Sequence, residues 1–206
     1  SATTSPSKTK APVGLLLVGS STGGPQTLQQ VFTAMPKKRS YPTVIVQHMP
    51  PVFTAQLASN LKRVTGHDVQ EAKDGLQLKA GMIVIAKGGF HLKLKKRGKE
   101  WFCNLDSSPT VNSCRPSVDV TFESVAKQIN SPEAVVAMLT GMGSDGAEGS
   151  RMLADKGVAI VNQEESSCIV YGMPRAVDEL GITTVRAKPP FIVHEAEKFM
   201  LRPSLP

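Results

Sequence analysis

The chain is poor in aromatic residues, which make up 5% of its 206 positions, and it contains three cysteines, Cys103, Cys114 and Cys168, at spacings that match no metal-ligand pattern. Scarce aromatics and the lack of any RNA- or DNA-binding motif weaken the nucleic-acid reading that a formal net charge of +7 would otherwise invite. An odd cysteine count excludes a fully paired disulfide framework; reduced thiols, and hence a cytoplasmic protein, are expected. No apolar run is long enough to cross a bilayer, and the first residues lack a signal peptide's apolar region, so no membrane insertion is expected. No internal repeat is visible. Residues 1–10, rich in Ser, Thr, Pro and Lys, read as a linker, which leaves 11–206 as one domain with enough apolar content, 40%, for a single substantial core.

Two more absences concern the loop after the first apolar run, Val13 to Val18. Gly19 and Gly24 have the separation of a phosphate-binding P-loop, but Pro25 stands where the phosphate-binding Lys belongs. The dinucleotide pattern G-x-G-x-x-G also fails, because Ser21 occupies its second Gly position. Present instead is Gly19-Ser20-Ser21-Thr22-Gly23, a G-x-S-x-G nucleophile elbow, in which small residues let a strained strand-to-helix turn push one hydroxyl outward. Pro25, with its fixed φ and missing N–H, suits the first position of a helix running to about Ala34.

A serine hydroxyl needs a base, and four histidines are present. His48 ends a second β-branched run, Thr43 to Gln47, just before Met49-Pro50-Pro51. By contrast His67 lies in a polar stretch and reads as a surface loop residue, His91 begins a basic alternating segment, and His194 falls in the C-terminal amphipathic stretch; all three are expected to be solvated. A third apolar run, Ala134 to Leu139, leads into Thr140-Gly141-Met142-Gly143-Ser144-Asp145-Gly146. Asp145 alone would be an ordinary helix cap. Ser21, His48 and Asp145, however, each follow the carboxyl end of a different expected strand, and in an open parallel sheet those ends share the ligand-binding edge.

The remaining pattern alternates strand and helix. Further strands are expected at Met82–Ala86, Val158–Val161 and Thr183–Arg186, and helices at Val52–Val64, Ser117–Asn130, Ala147–Lys156, Pro174–Leu180 and Phe191–Leu201. That order predicts an α/β fold with one doubly wound, mostly parallel sheet and helices on both faces. His91–Lys95 and Trp101–Leu105 predict an antiparallel hairpin at the sheet's edge, its basic residues discouraging edge-to-edge association. Amides near the helix start at Thr22–Pro25, and the backbone of Met142, are candidate oxyanion donors; Thr22 either caps the helix or bonds to His48. A nucleotide-binding domain and a non-catalytic binding module are the alternatives.

Five blocks then carry a family resemblance: Gly19 to Pro25, Gln47-His48-Met49-Pro50, Arg115-Pro116-Ser117-Val118-Asp119, Leu139 to Gly146, and Tyr171-Gly172-Met173-Pro174-Arg175. In order and spacing the chain from about Val13 to Leu201 resembles the catalytic domain of CheB-type chemotaxis protein-glutamate methylesterases. The resemblance implies a Ser21, His48, Asp145 triad that hydrolyses γ-glutamyl methyl esters on bacterial chemoreceptors and deamidates certain receptor glutamines, with no metal or cofactor. It also implies a doubly wound sheet and, in a full-length protein, an upstream receiver domain as partner. Lys87 and Cys114 depart from the residues often found at their positions in that family.

Overall fold

Apolar runs without alternation demand burial on both faces, which a parallel sheet sandwiched between helices provides. The computed structural model describes residues 14–200, so the expected linker at 1–10 lies outside the described residues. In chain order the elements are β1 (Leu15–Ser20), α1 (Gly24–Thr33), β2 (Thr43–Gln47), α2 (Phe53–Thr65), β3 (Val69–Glu71), β4 (Ile83–Ile85), β5 (His91–Arg97) and β6 (Glu100–Asp106). After these come α3 (Val118–Ala126), β7 (Ala134–Met138), α4 (Ala147–Ala154), β8 (Ala159–Gln163), α5 (Met173–Glu179), β9 (Val185–Ala187) and α6 (Ile192–Met200). Seven strands form one parallel sheet in the order β3-β4-β2-β1-β7-β8-β9.

Alternate strand residues feed two cores. Leu16, Val18 and Ile45 pack with Leu28 and Phe32 of α1, Leu61 of α2 and Ile192 of α6. Leu15, Leu17 and Val46 pack with Phe122 of α3, Leu153 of α4 and Val177 of α5. The sheet is thus doubly wound, as expected. The chain proceeds outward from β1 through β2, and from β7 through β8, in opposite directions, so β1 and β7 flank the switch point where open α/β sheets bind ligands.

Three expectations need correction. The hairpin of β5 and β6 does not extend the main sheet; it forms a separate two-stranded sheet. Leu92, Leu94, Trp101 and Cys103 point from it into the same core as α3, and the edge beside β4 is filled by β3, a strand too short to show alternation. Its charges are engaged locally: Lys93 pairs with Asp106, Lys96 with Glu133, and Arg97 lies 5.0 Å from the Phe102 ring centroid. Helix α3 ends at Ala126 rather than Asn130. His67 and His91 are not solvated surface residues, being 4% and 1% exposed. His67 bonds through Nε2 to the Phe32 carbonyl at 2.7 Å, and His91 through Nε2 to the Pro109 carbonyl at 2.8 Å. His194 is exposed, as read.

Candidate active site

The turn after β1 is tied to both neighbouring strands. Ser21 N–H donates to the Thr140 carbonyl at 3.0 Å, and His48 N–H donates to the Ser20 carbonyl at 3.1 Å. Ser20 is in register with Gln47 on β2, so Ser21 and His48 emerge side by side from adjacent strands. Gly23 takes φ 79°, a left-handed conformation that favours glycine, just before α1 begins. Gly141 lets the second loop approach: an added Cβ would lie 2.8 Å from Ser21 Cβ.

Gln47, to which sequence reasoning assigned no role of its own, holds this turn. It is 2% exposed, accepts from Ser20 Oγ at 2.5 Å and donates through Nε2 to the Ser21 carbonyl at 2.8 Å. A polar residue closing a buried apolar strand was the signal available, because such a group is kept only when its hydrogen bonds are met.

Asp145 is 3% exposed and accepts from five donors: His48 Nε2, Asn112 Nδ2, Ser117 Oγ and the backbone amides of Val118 and Asp119. Burial pushes its carboxyl upward, but the donors from His48, Asn112, Val118 and Ser117 outweigh that and bring it down to about 2. His48 Nε2 lies 2.6 Å from Asp145 Oδ2, so that nitrogen is the protonated one and Nδ1 keeps the lone pair. The Cys114 thiol stands 3.6 Å from Nδ1. Burial, then the Asp145 charge, raises this thiol above its ordinary range. His48, Cys114 and Pro50 help to line an open cavity of about 260 Å³.

The sequence-derived residues are therefore brought to one edge. His48 and Asp145 are bonded; Ser21 is adjacent through the β1–β2 register, its hydroxyl making no hydrogen bond to another described residue. Thr22 is exposed, neither caps α1 nor bonds to His48, and offers its carbonyl to Thr140 Oγ1 at 3.0 Å. Gly23 occupies the cap position instead, which leaves the Thr22 side chain without the capping role considered for it. Met142 is 67% exposed on the loop after β7. Among the described residues the amides of Thr22, Gly23 and Met142 find no acceptor.

His48, Cys114 and Asp145 each offer one ligand atom within 4.8 Å of the others. The carboxylate is already saturated by its donors and the imidazole is bonded to it, an arrangement suited to orienting a ring rather than to surrounding a cation.

Residues 16–195 match the family described as CheB methylesterase. A protein-glutamate methylesterase/protein-glutamine glutaminase of Myxococcus xanthus is 42% identical over 186 residues, covering 87% of this chain and 53% of that protein. One from Photobacterium profundum is 46% identical over 172 residues, covering 82% of this chain and 43% of that protein. The chain thus spans about half the length of these relatives. The crystal structure of the Thermotoga maritima CheB methylesterase catalytic domain superimposes with a TM-score of 0.86 at 37% identity, covering 90% of this chain and 97% of that one. With most of its length matched by the family and its sheet superimposing on a solved member, the chain belongs to the CheB methylesterase family.

Proposed function

We propose that the chain is a serine hydrolase that removes methyl groups from γ-glutamyl methyl esters of bacterial chemoreceptors, with deamidation of receptor glutamines as a second outcome of the same chemistry. The observation that carries this reading is the 2.6 Å His48–Asp145 pair set beside the Ser21 turn at the sheet's switch point. The names of its relatives support protein glutamate methyl esters and protein glutamines as the substrate class, and the chemoreceptor is what the family resemblance implies.

Nδ1 of His48 takes the Ser21 proton as Oγ attacks the ester carbonyl, because Nε2 is committed to Asp145. Asp145 holds the ring in that tautomer and offsets the imidazolium charge. The tetrahedral oxyanion is met by backbone N–H groups, and the amides of Thr22, Gly23 and Met142, which have no acceptor among the described residues, support that role, a contribution of about 3–4 kcal/mol per donor in comparable hydrolases. The imidazolium returns its proton to the departing methoxide, methanol leaves, and water activated by the same nitrogen hydrolyses the acyl-enzyme. For a glutamine side chain the leaving group is ammonia.

Cytoplasmic work on a receptor's inner face fits the reduced cysteines. No helix among the described residues is long and apolar enough to cross a membrane. An upstream receiver domain in a full-length protein is the partner this reading expects. A fluorophosphonate that labels serine nucleophiles tests the chemistry: the expected adduct maps to Ser21 and is lost in His48→Ala. A folded chain that takes no label at Ser21 contradicts the proposal.

A further inference from the structure

Between β6 and α3 the chain makes a tight turn whose shape and side chains both serve the site. Val111 and Cys114 exchange two backbone hydrogen bonds, of 3.0 and 2.9 Å, around Asn112 and Ser113. Both central residues have positive φ, 53° and 61°, as a type I′ turn requires. Asn is a favoured residue there, so its presence alone needs no functional account. Its side chain does. One amide nitrogen, Nδ2, lies 2.8 Å from Asp119 Oδ2 and 2.8 Å from Asp145 Oδ1, so its two hydrogens join two carboxylates. The same turn carries Cys114 to His48 Nδ1.

We infer that Asn112 is a positioning residue for the hydrolytic site: its amide clamps Asp145 against Asp119 and so fixes the plane in which the carboxylate meets His48. The inference rests on the triad reading and goes beyond it by assigning a role to a turn outside the matching sequence blocks. Ser117 Oγ and the amides of Val118 and Asp119 hold Asp145 from the α3 side. Asn112 is the side-chain donor from the opposite loop and keeps the two acidic groups from facing each other directly. Burial raises the Asp119 carboxyl, and Asp145 and Glu123 add to that, while Gly149 N–H and Asn112 oppose it. The titratable groups around the clamp are therefore His48, Asp119, Glu123, Cys114 and Asp145 itself. Because the turn is exposed, water can replace the lost hydrogen bonds but cannot fix the carboxylate's direction.

Two variants separate this role from turn formation, since Gly and Asp both tolerate positive φ. Asn112→Gly keeps the turn and deletes the amide; kcat for methanol release from methylated receptor should fall about tenfold or more with KM within about twofold. Asn112→Asp keeps the shape and turns the donor into a third carboxylate, so it lowers kcat and moves the acid limb of the kcat/KM profile to higher pH, because added negative charge favours the imidazolium. Wild-type kcat in either variant, an unmoved acid limb in Asn112→Asp, or failure of Asn112→Gly to fold overturns the inference. Asp145→Asn serves as the reference: if it too is fully active, the triad reading itself is at fault rather than the clamp.

Discussion

His48 presents Nε2 to Asp145 Oδ2 at 2.6 Å and leaves Nδ1 facing Cys114 Sγ at 3.6 Å. The imidazole is therefore held as a donor on one side and a base on the other. Asp145→Asn disturbs this on two counts. An amide has one acceptor oxygen where five donors converge, and its NH2 competes with Nε2–H. The variant should lose about 10³-fold or more in kcat, by analogy with the wrong-tautomer effect in serine hydrolases. Methanol release checks the rate and a thermal melt the accompanying loss of stability.

Gln47 makes its contribution through the turn. Gln47→Leu leaves the Ser20 hydroxyl without its acceptor beside a fully buried strand end, and the Ser21 carbonyl with the Gly24 N–H as its remaining donor. A cost of about 1–3 kcal/mol follows from the one unmet buried group, together with a fall in kcat as the elbow loosens. Denaturant unfolding and turnover measured on the same preparation test this; unchanged stability would show that the bonds are replaceable.

Cys114 offers a chemical handle on the base. Attachment of an iodoacetamide-derived group to its sulfur places bulk 3.6 Å from His48 Nδ1 and should inactivate. Because burial and then the nearby Asp145 raise this thiol, inactivation is slow near pH 7 and quickens as pH rises toward thiolate formation. Cys114→Ala should be resistant. Buried Cys103, raised to about 12, should be left unmodified in the folded chain.

His67 makes stability depend on pH. Burial lowers its folded pKa below 6.5, with Arg39 and Lys37 acting in the same direction, while hydrogen bonds to Phe32 and Met35 carbonyls oppose. The unfolded chain therefore binds the proton more readily, so this contribution is complete above the unfolded pKa and erodes as pH falls below it. The melting midpoint should drop more between pH 7.5 and 5 in the wild type than in His67→Gln. Equal drops would remove His67 as the cause.

Much of this was legible from residues because the main sheet is parallel and buried. Unbroken runs such as Leu15 to Val18 and Val135 to Met138 have no reading except as interior strands, and the glycines that follow them mark the loops of the site. His48 and Asp145 could be placed on one edge from strand ends alone. Short or tertiary-determined features were not legible. β3 spans only Val69–Glu71, and His67 and His91 sit in polar or basic surroundings whose burial is created by Arg39, Phe32 and α3. Asn112 reaches Asp145 across 33 positions in sequence, and although Asn suits a positive φ, nothing local ties its turn to Asp145.

The most direct test of the central claim is methanol release from methylated chemoreceptor by the chain and by Ser21→Ala, with both proteins shown to be folded. The account predicts turnover in the first and only the uncatalysed background in the second. Sustained release by Ser21→Ala would contradict it.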